Sequence, residues 1–352
     1  MPQSSLILLE SLVGRGELKF VYVFGVPRAN TTVLCRLLGR RLHGAVYEPA
    51  LPNSAFPGAA YPRKILSAYR AVRANLPHGE PVTLAIKDMC ALMGPAARNF
   101  ALEHAAHAVF AIREPSLQHS SYAGQMLAEF TAWNRVRAFA ITPWETLMYG
   151  VHFSRRWPRY WRLAKERLGV GWSALRRSPA SGANFEFWDA LSVHFADANR
   201  RLPIERISVI DAGLSRLLPE AAEAELDAIV APIAPAQRSV APLDFAGHTL
   251  MKTESAWAAE AMQAERLLGI GPQKAVRSPY PDFDAFLPRM AGVLYPAYLE
   301  LFYHPAHRLR RHVISHGSPR PDDADAPMRH LLEARDPAGA LALARDRGRI
   351  AA

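Results

Sequence analysis

One stretch near the start of the chain restricts its fold more than any other. Lys19–Phe24 is a run of β-branched and aromatic residues that stops at Gly25, the mark of a buried strand. The segment Gly25-Val26-Pro27-Arg28-Ala29-Asn30 follows. From Thr31 to Leu42 the residues Val33, Leu34, Leu37, Leu38 and Leu42 then recur at helical spacing. A strand, a tight loop and a helix in this order aim unpaired backbone N–H groups and the positive end of a helix dipole at one point. Such a point suits an anion.

The rest of the chain repeats the alternation. Strands are predicted at Val82–Ile86, ending at Lys87, at Ala108–Ile112, ending at Arg113, and at Ile207–Ile210, ending at Asp211. Helices are predicted from Pro115 and from about Pro219 to Val230. Strands separated by helices of this length predict an α/β fold, a three-layer parallel sheet of about five strands. The stretch from about Thr131 to Trp188 is helical in pattern and holds six of the seven tryptophans. It reads either as a helical subdomain packed on the sheet or as the wall of an apolar pocket. Pro281–His304 reads as a closing helical element. From His316 the chain turns Pro- and Asp-rich, a linker signal, and a weak helical pattern follows over Met328–Ile350.

Composition excludes several classes. Half of the 352 residues are hydrophobic and 21% are charged, which rules out a disordered or collagen-like chain. Two cysteines, Cys35 and Cys90, exclude a disulfide framework and point to a reducing compartment, the cytoplasm. No apolar run approaches ~20 residues, so no membrane span is expected. The Leu6–Leu9 run is cut by Glu10 and lacks a basic flank, so no signal peptide is expected. The net charge is +10, and lysine supplies only six of the 42 basic residues. Arginine grips phosphate and sulfate with a planar pair of donors, so a polyanionic ligand fits this composition, and an Ala- and Arg-rich, Lys-poor chain arises equally from codon bias. No recognition-helix, zinc-finger or single-strand-binding signature points to nucleic acid.

The loop differs from the ATP-type loop, which needs Gly, four residues, then Gly-Lys-Ser/Thr. Counted from Gly25, Asn30 stands in place of the second Gly and Thr31 in place of the Lys. The cation has moved forward to Arg28. Pro27-Arg28-Ala29-Asn30-Thr31-Thr32 resembles the 5′-phosphosulfate loop of the sulfotransferase superfamily, Pro-Lys/Arg-Ser-Gly-Thr-Thr, at four of six positions. Ala29 departs from Ser and loses a hydroxyl. Asn30 departs from Gly but is among the residues best able to take the left-handed backbone. A second signature follows in order. Arg113-Glu114-Pro115 ends a strand, and Ser121 stands eight residues after the Arg. In the family this Arg and Ser hold the 3′-phosphate of 3′-phosphoadenosine 5′-phosphosulfate.

The resemblance covers about residues 18–310 and implies a P-loop-type, bacterial-like sulfotransferase domain over 18–315. Its helical acceptor side is expected at about 131–200, with a linker and tail over 316–352. It implies transfer of a sulfuryl group from 3′-phosphoadenosine 5′-phosphosulfate to a hydroxyl or amine of a small, partly apolar acceptor, with no metal required. Pro27, Arg28, Ala29, Asn30, Thr31 and Thr32 are expected to hold the donor with Arg113 and Ser121. Glu48, in Val46-Tyr47-Glu48-Pro49, is expected to be the base. Lys87, in Ile86-Lys87-Asp88-Met89, would touch sulfate or acceptor, or pair with Glu48. Two other readings stay open on the residues themselves. One is a P-loop kinase or NTPase with a degenerate loop, and the other a nucleotide-binding protein without catalysis.

Other features carry less. His304, His307, His312 and His316 read as a basic surface helix rather than a metal site, because Pro305 interrupts them and no acid or thiol joins them. His104 and His107 read as a helix edge. Cys35 reads as core. Asp211 fits equally well a Mg²⁺-binding carboxylate and a cap for the next turn.

Overall fold

The computed structural model describes residues 2–50, 61–115, 118, 179–234, 242–246 and 294–310. In chain order the elements are α1 (Pro2–Gly14), β1 (Leu18–Gly25), α2 (Thr31–Arg41), β2 (Gly44–Tyr47), α3 (Tyr61–Arg73), β3 (Val82–Met89) and α4 (Pro95–His104). They continue with β4 (His107–Ile112), α5 (Pro179–Arg201), β5 (Ile207–Asp211), α6 (Ala212–Leu217), α7 (Pro219–Val230), β6 (Leu243–Ala246) and α8 (Tyr295–Phe302). The six strands form one sheet in the order β5-β4-β1-β3-β2-β6, and every pairing is parallel. This is the expected α/β architecture, with β2 and β6 added to the four strands legible in the sequence.

A parallel sheet with helices on both faces needs strands that are apolar throughout. β1 meets that demand, with Phe20 to Phe24 all fully buried. Its alternate side chains divide between the faces. Phe20 stacks on Phe100 of α4, with ring centroids 5.4 Å apart, and Phe24 stacks on Phe110 of β4 at 5.1 Å. The helices α1, α3 and α4 pack together on this face. The opposite face carries α2, which lies against β1, β2 and β3 and is backed by α7. Two glycines allow α2 to lie so close. A Cβ on Gly25 would come within 2.3 Å of the Thr31 methyl, and one on Gly39 within 2.6 Å of the Ala45 methyl.

The chain divides into two compact units. The first comprises residues 1–112, 190–270 and 301–317, and the second residues 113–189, 271–300 and 318–352. The sheet belongs to the first unit. In the second, the Trp188 indole donates to Gln118 Oε1 at 3.2 Å, the Tyr295 hydroxyl donates to Glu114 at 2.5 Å, and Trp188 packs edge-on against Tyr298. The aromatic stretch expected over 131–188 is seen as helix from Pro179 onward. The remainder of it, the stretch 281–293 and the expected linker and tail over 316–352 lie outside the described residues.

Two histidine readings are corrected. His107 is not on a helix edge but opens β4, where its ring is buried against Ser208. His304 and His307 do not lie on a surface helix. They sit in a turned segment after α8, with His304 edge-on to Phe195 and His307 buried against Phe302. Periodicity alone did not reveal that Phe195, from a distant helix, packs on His304.

Candidate functional site

All strands run the same way, so the loops after β1, β2, β3 and β5 gather at one end of the sheet. β1 and β3 are neighbours, but their connections leave in opposite directions. β1 feeds α2 and then β2 on one side, whereas β3 feeds α4 and then β4 on the other. A crevice opens where adjacent connections diverge, and open α/β sheets bind ligands there.

The loop after β1 enters that crevice in an unusual conformation. Arg28 has φ 67° and Asn30 has φ 57°, both left-handed. For an L-residue each such conformation costs roughly 1–2 kcal/mol, and Asn30 bears it better than most side chains. The expected survival of the turn without glycine is therefore met at Asn30. Nothing in the sequence marked Arg28 for the same conformation. Asn30 occupies the cap position of α2 without a side-chain cap bond, and Leu34 N–H donating to Asn30 O is the first bond of the helix. The N–H groups of Thr31, Thr32 and Val33 therefore have no partner inside the helix. Thr31 is buried, Thr32 half-buried and Arg28 exposed. This is a cradle for an anion, with a cation at its rim.

Beside the cradle lies a mainly apolar pocket. Ala29, Asn30 and Leu34 line one side, and Ile210, Ala212 and Leu226 another. The sequence marked the loop but not the pocket, because β5, α6 and α7 reach it from some 180 residues further along the chain. Asp211, at the edge of this region, takes up one of the two roles open to it. Its Oδ1 accepts from Gly213 N–H at 2.8 Å and Leu214 N–H at 2.9 Å, so it caps α6.

Glu48 and Lys87 come together, as one of the alternatives for Lys87 foresaw. β2 pairs with β3 with Tyr47 opposite Lys87, and Glu48 N–H extends the ladder by donating to Lys87 O at 2.6 Å. Lys87 Nζ donates to Glu48 Oε1, and both residues are buried. Glu48 also has a left-handed backbone, φ 52°. Its neighbour in space is Asp88, which the sequence showed only as part of Lys-Asp-Met. Along β3, Lys87 and Asp88 point to opposite faces. Asp88 Oδ2 accepts from the Tyr22 hydroxyl, and its Oδ1 accepts from Ala50 N–H at 3.0 Å. The Tyr22 and Tyr61 hydroxyls meet at 3.1 Å.

Burial raises the Asp88 carboxyl to about 7, against the pull of its hydrogen bonds with Tyr22 and Ala50. Glu48 pushes in the same direction as burial, and Lys87 opposes it. Desolvation lowers the Lys64 ammonium to about 8, although Asp88 and Glu48 both act to hold it charged. Desolvation, then the Asp88 charge, keeps the Tyr22 and Tyr61 phenols protonated well above their usual range. Two carboxylates and two ammonium groups thus share one electrostatic environment at the carboxyl ends of β2 and β3. Perturbed groups gathered at one end of a sheet are candidates for acid–base chemistry.

Arg113 directly follows β4 in the chain and opens the second unit, and Ser121 lies outside the described residues. No group of three or more His, Cys, Asp or Glu residues able to hold a metal occurs among the described residues. Cys35 and Cys90 are both buried, and burial pushes the Cys90 thiol up, away from nucleophile chemistry. No helix among the described residues is long and apolar enough to cross a membrane. No family model matches the chain, and no curated protein does.

Proposed function

We propose that the chain is a sulfotransferase that moves a sulfuryl group from 3′-phosphoadenosine 5′-phosphosulfate to a hydroxyl or amine of a small, partly apolar acceptor in the cytoplasm. The observation that carries this reading is the loop itself. It has two left-handed residues, bare N–H groups at the start of α2, a cation at Arg28 and no lysine. Such a loop suits a 5′-phosphate whose outer group is transferred without a loop lysine to steer it. The adjoining apolar pocket is suited to a flat base.

On this reading the N–H groups of residues 28–32 and the hydroxyls of Thr31 and Thr32 bind the 5′-phosphate. Pro27 stiffens the turn, and Ala29 lines the pocket for the base. Arg28 meets the charge that grows on the leaving phosphate oxygen. Arg113 and Ser121 bind the 3′-phosphate. Glu48 takes the proton of the acceptor as its oxygen bonds to sulfur and the bond from sulfur to the phosphate oxygen breaks, releasing 3′,5′-ADP. A carboxylate that keeps an ammonium partner is a weak base. An anionic sulfuryl group competes for Lys87, which raises the basicity of Glu48 towards the acceptor proton. Positioning and charge neutralisation carry the rate, so no step calls for a metal.

The kinase or NTPase reading is less well supported, because the loop has no lysine. A thermal-shift comparison separates the readings. 3′,5′-ADP without metal should raise the melting temperature, ATP with Mg²⁺ should not, and the reverse result would replace the sulfotransferase by an NTPase. Arg113→Ala should weaken 3′,5′-ADP by about 1.5–3 kcal/mol and leave 5′-AMP unchanged.

A further inference from the structure

Asp88 has no place in the transfer chemistry proposed above, yet it is fully buried and engages both ends of a structural problem. The chain leaves β2 through Glu48-Pro49-Ala50, with a turn at Pro49 and Ala50, while Glu48 holds a left-handed backbone. Pro49 has no N–H to give. The Glu48 N–H is taken by Lys87 O, and the Ala50 N–H is taken by Asp88 Oδ1. Successive residues of β3 thus grip the turn on both sides of Pro49, one through its backbone and one through its side chain. Asp88 Oδ2 is in turn fixed by the Tyr22 hydroxyl, which sits in the middle of β1 and meets Tyr61 at the start of α3.

We propose that Asp88 is a positioning residue that holds the Glu48 turn through the Ala50 amide, anchored by Tyr22, and so keeps the Glu48 carboxylate where the proton is taken. This rests on the sulfotransferase reading for its consequence, although the geometry stands without it. The groups facing Asp88 are Tyr22 from β1, Tyr61 and Lys64 from α3, Lys87 from β3, and Glu48 and Ala50 from the turn. An asparagine there keeps an oxygen for the Ala50 amide and can donate its NH₂ to the Tyr22 oxygen, with a reversed hydroxyl. A leucine fills the volume and accepts nothing.

The test compares Asp88→Asn and Asp88→Leu by crystal structure, by 3′,5′-ADP calorimetry, and by turnover of the phosphosulfate donor with 4-nitrophenol. The expected result is that Asp88→Asn keeps Glu48 left-handed and paired with Lys87. Asp88→Leu should release that turn, with 3′,5′-ADP affinity within about threefold of wild type, and turnover should fall ~10–10²-fold while KM for the donor stays put. The Asn variant should recover most of that turnover. An unmoved Glu48 turn in Asp88→Leu overturns the proposal, as does equal damage to the turn in both variants. If Asp88→Leu does not fold, Tyr22→Phe serves instead. Loss of its anchor should let Asp88 leave the Ala50 amide, and an unchanged bond in that crystal structure counts against the anchor. Failure of wild type to bind 3′,5′-ADP would sink the donor reading alone, since the two crystal structures decide the turn regardless.

Discussion

At the amino end of the sheet, His107, Ser208, Glu225 and Arg308 form a closed circuit. Ser208 Oγ meets His107 Nε2 at 3.0 Å and donates to Glu225 at 2.8 Å. Arg308 donates to both Ser208 and Glu225, at 3.0 and 2.7 Å. At the carboxyl end, Glu48, Lys87, Asp88 and Lys64 are as well buried or nearly so, but they sit among loops under strain. All three described non-glycine residues with positive φ, namely Arg28, Asn30 and Glu48, are there. Serine, histidine and glutamate within bonding distance resemble a catalytic set, yet the amino-end group has no strained loop around it. Burial lowers the His107 imidazole to about 4, with Arg308 and Arg206 acting in the same direction, so the ring is neutral and structural. Buried charge alone does not mark a site. Buried charge next to a strained, anion-ready loop is the better candidate, because strain of ~1–3 kcal/mol per residue is held only where the surroundings over-determine it.

The largest expected effect falls on the carboxyl end. Glu48→Gln keeps the shape of the turn and removes the proposed base, so turnover should drop by ~10²–10⁴-fold with 3′,5′-ADP binding intact. Steady-state kinetics beside calorimetry would show it. Turnover equal to wild type would move the base elsewhere.

Asp88 gives a pH signature opposite in sign to that of His107 at the amino end. Its folded value of about 7 lies above the unbound 3.8, so the folded state holds an extra proton between these limits. This group's contribution to stability is therefore full below pH 4 and declines as pH rises towards 7, by about 4 kcal/mol in all. His107, His194 and His307, each lowered by burial to about 4, work in the opposite sense below pH 6.5. The difference between wild type and Asp88→Asn isolates the carboxylate. Urea unfolding from pH 4 to 7.5 should show wild type losing ground to the variant as pH rises. A constant difference would mean that Asp88 is not shifted.

Ser208→Ala reverses the emphasis. It leaves Glu225 and His107 short of a partner and should cost about 1–3 kcal/mol of stability, while turnover per folded molecule is unchanged. A loss of turnover at full folding would erase the distinction between the two ends. The smallest effect is reserved for Asn30→Gly. Glycine takes φ 57° freely, so stability should change by less than about 1 kcal/mol and 3′,5′-ADP affinity should hold. A large loss of affinity would show that the Asn30 side chain, not its backbone, serves the site.

Much of this frame was legible in the sequence. β1, β3, β4 and β5 are apolar runs that end at Gly25, Lys87, Arg113 and Asp211 or within two residues of them, and α7 begins at Pro219 as expected. β2 and β6 were not legible. Each has four residues, and Gly44-Ala45-Val46-Tyr47 is too short and too small-sided to show a period. α3 hides its apolar face behind Pro62 and three arginines. The loop and the Glu48–Lys87 pair could be suspected from residue types. Asp88 could not, because its partners Tyr22 and Ala50 stand 66 and 38 positions away. Only the order of the strands brings them together.

The central claim is that the cradle at the start of α2 binds a 3′-phosphorylated nucleotide. A crystal structure with 3′,5′-ADP tests it most directly. The 5′-phosphate should lie on the N–H groups of residues 28–32 with Thr31 and Thr32, and the base against Leu34, Ile210 and Leu226. A nucleotide bound anywhere else, or a cradle left without phosphate at saturating 3′,5′-ADP, would contradict it.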